Sequence, residues 1–174
     1  TVQPGYLGPV GAAWMEAAHE GEVTRREPGP GISDERWTLV PASLLWHDDA
    51  SGRAKGLRTD FYAGAAVEGT PAASRLEETV DFRWTFNRPA RGISTDWFAV
   101  RLSGGITMPA GAARTLAVEG DDGYRLWIDD SLVIDAELKV SYSRRATALP
   151  FAAGDHRIRI EYRKTTGNGR LRLL

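Results

Sequence analysis

The 174-residue sequence contains no cysteine, so disulfide bonds, thiolate metal sites and cysteine nucleophiles are all excluded. It also lacks any apolar run that approaches the ~20 residues that a membrane-spanning helix needs. Lysine is scarce: of the 22 basic residues, Lys55, Lys139 and Lys164 are the only lysines, and the other 19 are arginines interleaved with acids. With a net charge of −1, this distribution argues against nucleic acid or a membrane as the partner.

Motifs for chemistry are also missing. His19, His47 and His156 do not have the spacing of zinc ligands, and there is no nucleophile elbow, phosphate loop or dinucleotide fingerprint. The segment Ser94-Thr95-Asp96-Trp97 is superficially similar to the nucleophile motif of family-three glycoside hydrolases. A glycosidase needs a second carboxylate across the sugar, and no partner motif is present. We therefore predict that the chain is not itself an enzyme.

From Leu57 onward, apolar residues alternate with polar ones. Such alternation, with one polar face, is typical of antiparallel strands that pack on one side. Turn signals rich in glycine and proline recur at short intervals, which favours a β-sandwich. The alternating apolar positions are Val80, Phe82, Trp84 and Phe86, then Phe98, Val100 and Leu102, then Leu126 and Ile128, then Ile158, Ile160 and Tyr162. We predict an all-β fold, an antiparallel β-sandwich over residues 57–174.

The first part of the chain has a different character. Apolar residues of 9–20 fall on one helical stripe, and 22–25 resembles a short strand, so we predict a helix–strand segment within residues 1–47. The glycine- and charge-rich residues 48–56 are predicted to be a linker. The abrupt start and end suggest a fragment of a longer protein. The compartment stays open, with a secreted or periplasmic location favoured over the cytoplasm.

Residues 119–135 are the most informative stretch. Asp121 and Asp122 are adjacent, flanked by Gly120 and Gly123, and an alternating strand follows them. We predict an acidic turn at the entrance of a β-hairpin. Adjacent carboxylates repel each other, so they usually lie in water or share a bonded or cationic partner. In a surface loop, such a pair suits sugar hydroxyls or calcium, which prefers oxygen ligands; an ordinary polar turn is the alternative. Asp129, Asp130 and Asp135 are predicted to be hairpin residues.

Four segments together resemble the protective-antigen-type (PA-fourteen) β-sandwich domain, which occurs in glycosidases, adhesins and toxins. These segments are 56–62, 97–104, 120–129 and 154–162, and their order fits that family over about two thirds of the chain. The N-terminal helix–strand unit is similar to the α/β-sandwich domain of family-three glycoside hydrolases, β-glucosidases among them, into which such a module is inserted in some members. The resemblance thus implies a β-sandwich module preceded by a hydrolase fragment.

The same resemblance implies particular ligands and partners. Adhesin relatives bind sugar through a calcium ion held by the adjacent aspartates, with a cis peptide between them, which assigns Asp121 and Asp122 to carbohydrate and metal binding here. A later loop also contributes in those adhesins, and Asn168 is its nearest counterpart. The sequence by itself calls for no cofactor, and calcium is what the resemblance implies. In the hydrolases the module leans over the catalytic pocket, so the implied partners are an oligosaccharide or glycoside and the catalytic domain of the parent enzyme.

Tryptophans offer faces on which pyranose rings stack. Trp84 shares its predicted face with Phe82 and Phe86 and is therefore assigned to the core, whereas Trp97 precedes a strand and is a candidate for sugar binding at a loop edge. Our leading hypothesis is a non-catalytic carbohydrate-recognition module that shapes substrate access and chain-length selection in a family-three hydrolase. The alternatives are a calcium-dependent adhesin-type lectin and a structural or assembly domain with an apolar patch around Trp14, Trp37 and Trp46.

Overall fold

The computed structural model describes residues 37–111 and 114–174, with side chains given for all of these except residues 138–141. Residues Thr38–Leu174 form one compact unit. The predicted helix at 9–20, the predicted strand at 22–25 and Trp14 lie outside the described residues, so the hydrolase-like fragment stays a prediction.

The described residues form ten strands and one 3-10 turn at Ala42–Leu44. The strands are β1 (Leu45–Asp49), β2 (Gly52–Lys55), β3 (Leu57–Ala63), β4 (Ala73–Glu77), β5 (Asp81–Arg83), β6 (Phe98–Met108), β7 (Ala117–Ile128), β8 (Ser131–Ala146), β9 (Gly154–Lys164) and β10 (Arg170–Leu173). Every strand pair is antiparallel. This confirms the predicted all-β antiparallel fold. Within residues 37–111 and 114–174, no helix is long and apolar enough to cross a bilayer.

Strand β7 belongs to both layers of the sandwich. Its residues Val118–Gly120 pair with β10, which in turn pairs with β5, whereas its residues Gly123–Ile128 pair with β9. Strand β9 also pairs with β6, β6 pairs with β3, and β3 pairs with β4. The layer of β5 and β10 therefore faces the layer of β3, β6 and β9, and β7 passes from one to the other.

The core lies between these layers and is centred on Trp84, which is buried just after β5. Its ring stacks on Phe82, with centroids 4.6 Å apart, and meets Phe61, Phe98 and Tyr162 of the opposite layer at 6.4, 5.5 and 5.4 Å. The prediction that Trp84 is a core residue is confirmed. Phe86, predicted on the same face, is 90% exposed because it lies beyond β5 and beyond the backbone hydrogen bond from Trp84 to Gly169.

The predicted linker at 48–56 is wrong. Residues 45–55 form the β1–β2 hairpin, and Leu45 and Trp46 of β1 pair with Ile106 and Gly105 of β6. Both strands are exposed toward the turn, which is why their sequence is polar and glycine-rich. Trp46, which the assembly alternative places in an exposed apolar patch, is buried within this unit, and its Nε1–H donates to Thr107 Oγ1 at 3.1 Å.

Gly105 lies directly against the Trp46 indole, and a Cβ atom there would overlap three atoms of that ring. We therefore expect Gly105→Ala to lower the free energy of unfolding by about 1–3 kcal/mol, because the buried indole has little room to move. Urea denaturation measures this change. Gly154→Ala is the control, since nothing lies within 4 Å of its added methyl group and only its positive φ of 121° opposes the change. Equal stability of the Gly105→Ala variant and the wild type would contradict the packing.

The predicted Asp129–Asp130 turn is confirmed: both residues have positive φ, 48° and 63°, between β7 and β8. Asp129 Oδ2 lies 2.7 Å from His156 Nδ1. This hydrogen bond raises the pKa of His156 and lowers the pKa of Asp129.

The two shifts have opposite consequences for stability. The stabilisation that comes from protonated His156 is complete below its reference pKa of 6.5 and is lost as pH rises through its raised pKa. The stabilisation that comes from ionised Asp129 is complete above its reference pKa of 3.8 and is lost as pH falls through its lowered pKa. We expect Asp129→Asn to bring the His156 pKa, followed by NMR titration, back toward the reference value. Asp130→Asn, next along the turn, is expected to leave the His156 pKa higher than Asp129→Asn does.

Candidate functional site

Asp121 and Asp122 lie within strand β7 and not in the predicted surface turn. The pairing of β7 with β8 shifts register between Gly120 and Asp122 and again between Asp122 and Tyr124, as β-bulges do. Asp122 has a φ of 58°, which is uncommon for a residue with a side chain. The flanking glycines are needed because neighbouring backbone approaches closely: a Cβ at Gly120 would lie 2.6 Å from the Arg170 carbonyl oxygen, and one at Gly123 would overlap the Glu137 carbonyl.

The Asp122 carboxylate is buried, with 3% of the residue exposed. The Thr165 hydroxyl donates to its Oδ1 at 2.8 Å, and the Thr165 backbone N–H donates to its Oδ2 at 3.1 Å. A buried charge is tolerated when it is bonded in this way. Asp122 therefore ties the β7 bulge to the loop that follows β9.

Asp121 is partly exposed. Burial raises the pKa of Asp121, and the Asp122 carboxylate raises it further, whereas the positive charges of Arg170 and Lys164 lower it. The two aspartates thus differ in their surroundings. Asp122 is fixed by Thr165, and Asp121 is the member of the pair that meets solvent.

Trp97 lies at the same end of the sandwich. It is 58% exposed and has a φ of 58°. Its N–H donates to the Thr165 carbonyl at 2.9 Å, and its own carbonyl accepts from Gly64 N–H at 2.9 Å. Trp97 and Asp122 are therefore both hydrogen-bonded to Thr165. Residues held in such sparsely populated backbone regions persist only where the surroundings fix them, and they cluster at ligand sites.

Asn168 is exposed in the turn between β9 and β10. The turn is anchored at its far end, where Gly169 N–H donates to Thr85 Oγ1 at 3.3 Å and the Gly169 carbonyl accepts from Trp84 N–H at 2.7 Å. The structure thus links Trp97 and Asp122 through Thr165, with Asp121 next to Asp122 in β7 and Asn168 three residues further along the loop.

Lys164, which the sequence analysis did not single out, lies beneath this loop. Its side chain is fully buried, and its Nζ forms an ion pair with Asp96, whose side chain is 40% exposed. Its stem packs on Gly169, where an added Cβ would lie 2.7 Å from Cε. The signal for it was present: Lys164 continues the alternation of Ile158, Ile160 and Tyr162 and therefore occupies a core-facing position of β9.

Two hollows are lined by residues of β7 and β9. A small one of about 230 Å³ borders the bulge at Gly123 and the loop that begins at Ala65. A larger, open groove of about 890 Å³ lies toward the other end of β7 and β9. In the groove, the Arg159 guanidinium carbon lies 4.2 Å from the centre of the Trp127 ring. Neither Trp97 nor Asp122 lines either hollow.

The described residues bring no third acidic or histidine side chain to the calcium site that the resemblance implies. Calcium takes six to eight oxygen ligands, and in residues 37–111 and 114–174 no group of three or more acidic or histidine side chains is placed to hold a metal ion. Both oxygens of Asp122 already accept hydrogen bonds from Thr165. The described peptide bonds, including the one between Asp121 and Asp122, are all trans, contrary to the implied cis bond.

Comparison with known proteins gives one family match. The family described as "PA14 domain" matches residues 53–173, which include strands β3 to β10 and all four predicted site residues.

Among curated proteins, the anti-sigma-I factor RsgI3 of Acetivibrio thermocellus is 27% identical over 129 residues. The alignment covers 74% of this chain and 20% of that protein, so this chain spans about a fifth of its relative. Among solved structures, an anti-sigma factor domain-containing protein from Clostridium clariflavum is 32% identical with a TM-score of 0.58, covering 68% of this chain and 40% of that one.

A β-glucosidase from Kluyveromyces marxianus has the same TM-score of 0.58 at 14% identity, and the match covers 79% of this chain and 20% of that enzyme. At this identity the likeness shows a shared fold alone.

Thr165 offers a direct test of how the bulge is held. We expect Thr165→Val, which keeps the side-chain shape but removes the hydroxyl, to lower the free energy of unfolding by about 1.5–3 kcal/mol, because a buried carboxylate loses a hydrogen bond. Denaturant titration gives the change. The neighbouring Thr166 is exposed, so Thr166→Val is the matched control and is expected to change stability by about 0.5 kcal/mol or less. Equal effects of the two substitutions would show that the hydroxyl does not stabilise Asp122.

Proposed function

The chain belongs to the PA14 domain family, and on that premise we propose that it is a non-catalytic carbohydrate-recognition module of a larger protein. The observation that carries the proposal is Trp97. This tryptophan is 58% exposed, and two backbone hydrogen bonds hold it at a φ of 58°, one of them from its backbone N–H to the loop that also binds Asp122. Exposing a large aromatic ring in a strained backbone has a cost, which a ligand that covers the ring would offset.

The surroundings of Trp97 suit a saccharide. The apolar face of a pyranose ring stacks on an indole, and hydroxyl groups donate readily to carboxylates, of which Asp121 is partly exposed at this end of the sandwich. Asn168 adds an exposed amide that both donates and accepts. We therefore assign carbohydrate binding to Trp97, Asp121 and Asn168, with Asp122 fixing the backbone between them.

The parent protein has two candidates. The finer hypothesis places the module in a family-three glycoside hydrolase, where it shapes access to the catalytic pocket and selects chain length; the fold shared with a β-glucosidase is compatible with this. The higher identity to two anti-sigma proteins favours a second candidate, a recognition domain of a regulatory protein. The domains encoded beside this chain in its full gene decide between a catalytic and an anti-sigma partner.

We expect Trp97→Gly to weaken saccharide binding at least about tenfold, because the stacking surface is lost. The same change should not destabilise the fold, because glycine adopts a positive φ without strain. Binding is measured by isothermal titration calorimetry with the best oligosaccharide from a glycan array that includes gluco-oligosaccharides. Stability is measured by thermal unfolding.

Trp127→Ala is the control, because Trp127 is the corresponding indole of the larger groove. Loss of affinity in Trp127→Ala with full affinity in Trp97→Gly would move the binding site to that groove. No binding of any arrayed glycan by the wild-type chain would count against carbohydrate recognition by the isolated module and favour a structural or assembly role.

A further inference from the structure

One row of residues runs straight across the sheet in the larger groove. Strand pairing places Arg58 of β3 opposite Ser103 of β6, and Ser103 opposite Arg159 of β9. Trp127 of β7 is the next partner of Arg159. These four residues, which we call the arginine row, all line the groove of about 890 Å³. Because side chains directly opposite on neighbouring strands lie on the same face of a sheet, the row presents two arginines on either side of a small hydroxyl side chain.

The adjacent row on the same face, two residues along each strand, is balanced in charge. From β3 to β8 it alternates in sign, as Asp60, Arg101, Glu161, Arg125 and Asp135. Arg101 pairs with Glu161 at 3.0 Å, and Arg125 pairs with Asp135 at 3.2 Å. Opposite charges that face each other across strands stabilise a sheet. The arginine row contains no carboxylate and therefore lacks this balance.

Arg159 is the member of the row without a counter-charge. Its guanidinium carbon lies 4.2 Å from the centre of the Trp127 ring, an arrangement that orients the guanidinium. Its Nε is buried without a hydrogen-bond partner, and no carboxylate of the described residues forms an ion pair with it. Arg58 differs, because its Nε donates to Asp60 at 3.1 Å while its side chain is 60% exposed. A buried donor left unpaired has a cost, which an acceptor carried by a ligand would remove.

The other charged residues of the groove are paired or lie outside the arginine row. Arg157 forms an ion pair with Asp48 at 2.8 Å, and Arg75 forms one with the glutamate that ends β4. Asp49 accepts two hydrogen bonds within the β1–β2 turn. Asp130 belongs to the turn between β7 and β8. The positive charge of the groove that lacks a partner is therefore concentrated on the arginine row.

We propose that the arginine row is a second binding site, which takes the carboxylate or sulfate group of an acidic saccharide. Guanidinium groups bind such oxyanions through paired N–H donors, and the Ser103 hydroxyl offers a further donor between them. Arg58 and Arg159 lie two strand spacings apart, about 10 Å, so both side chains can reach one anionic group above Ser103. A groove of this size holds a short oligosaccharide. The proposal rests on the proposed function in taking the ligand to be a saccharide, and it adds a site that Trp97 does not line.

The first test is binding of the wild-type chain to an array of neutral, uronate-bearing and sulfated oligosaccharides. We expect acidic glycans to bind more tightly than neutral glycans of the same length, with an affinity that falls as potassium chloride is added, because salt screens charges. Comparison of uronate-bearing with sulfated glycans identifies the oxyanion that the row prefers. No excess affinity for acidic glycans, or equal affinity for a polyglutamate peptide of the same charge, would overturn the proposal.

The second test removes one charge from the row. We expect Arg159→Gln to weaken binding of the best acidic glycan at least about tenfold in isothermal titration calorimetry, because charge-assisted hydrogen bonds are lost. Arg101→Gln is the matched control, since it removes the same charge from the balanced row, and it should change the affinity little. Arg58→Gln, at an exposed position, repeats the test if Arg159→Gln does not fold. Equal effects of the row variants and the control would show that acidic glycans respond to overall charge and not to the row.

Two further variants separate this site from the one assigned to Trp97. Ser103→Leu keeps both arginines and fills the space between them, so it should also weaken acidic glycans. Trp97→Gly should leave the affinity for acidic glycans unchanged. Loss of acidic-glycan binding in Trp97→Gly but not in Arg159→Gln would overturn the second site while carbohydrate recognition stands. Loss in Arg159→Gln, with no effect of Trp97→Gly on any glycan, would support the arginine row and contradict the assignment of Trp97.

Discussion

Strand β7 serves both layers of the sandwich, and the structure of the acidic end depends on how it does so. Its first residues pair with β10 and its last with β9, so its hydrogen-bonding edge must turn between them. The bulges around Asp122 accommodate this change of direction, and the Asp122 backbone lies in the left-handed region. The carboxylate is thereby buried, and a buried carboxylate must be bonded and balanced. Thr165 provides two of the bonds.

Much of the fold could be predicted from the period of two, because one-sided burial imposes that period on an antiparallel strand. The pattern succeeds for β9, whose buried positions alternate from Ile158 onward, and for part of β6, where Gly104 and Gly105 interrupt it. It fails for the β1–β2 hairpin, because both strands are largely exposed and their composition resembles that of a linker. It also fails at Phe86, where the alternation continues for one step after the hydrogen-bonding partner has ended.

The candidate site was predictable in composition but not in geometry. Adjacent aspartates between glycines indicate a departure from regular structure, which the sequence alone predicts to be a surface turn. A bulge and a turn have the same residue preferences, since both need glycine and a residue that tolerates positive φ. Only the partners of β7 distinguish them, and those partners, β8 and β10, follow later in the chain. Lys164 was missed for a different reason: a charged residue in a core-facing position is normally taken as the end of the strand.

Substitutions at exposed and at buried residues of this end of the sandwich are expected to have different effects. Trp97 and Asn168 present side chains to solvent, so substitutions there alter the surface that the proposed saccharide would meet while the core around Trp84 stays intact. Asp122 and Lys164 are buried, and substitutions there alter the fold first. Specificity can therefore vary at the exposed positions while the acidic pair is kept for a structural reason. Two adjacent aspartates in such a strand therefore indicate a β-bulge whose buried carboxylate is hydrogen-bonded within the chain. By themselves they do not indicate a metal ion.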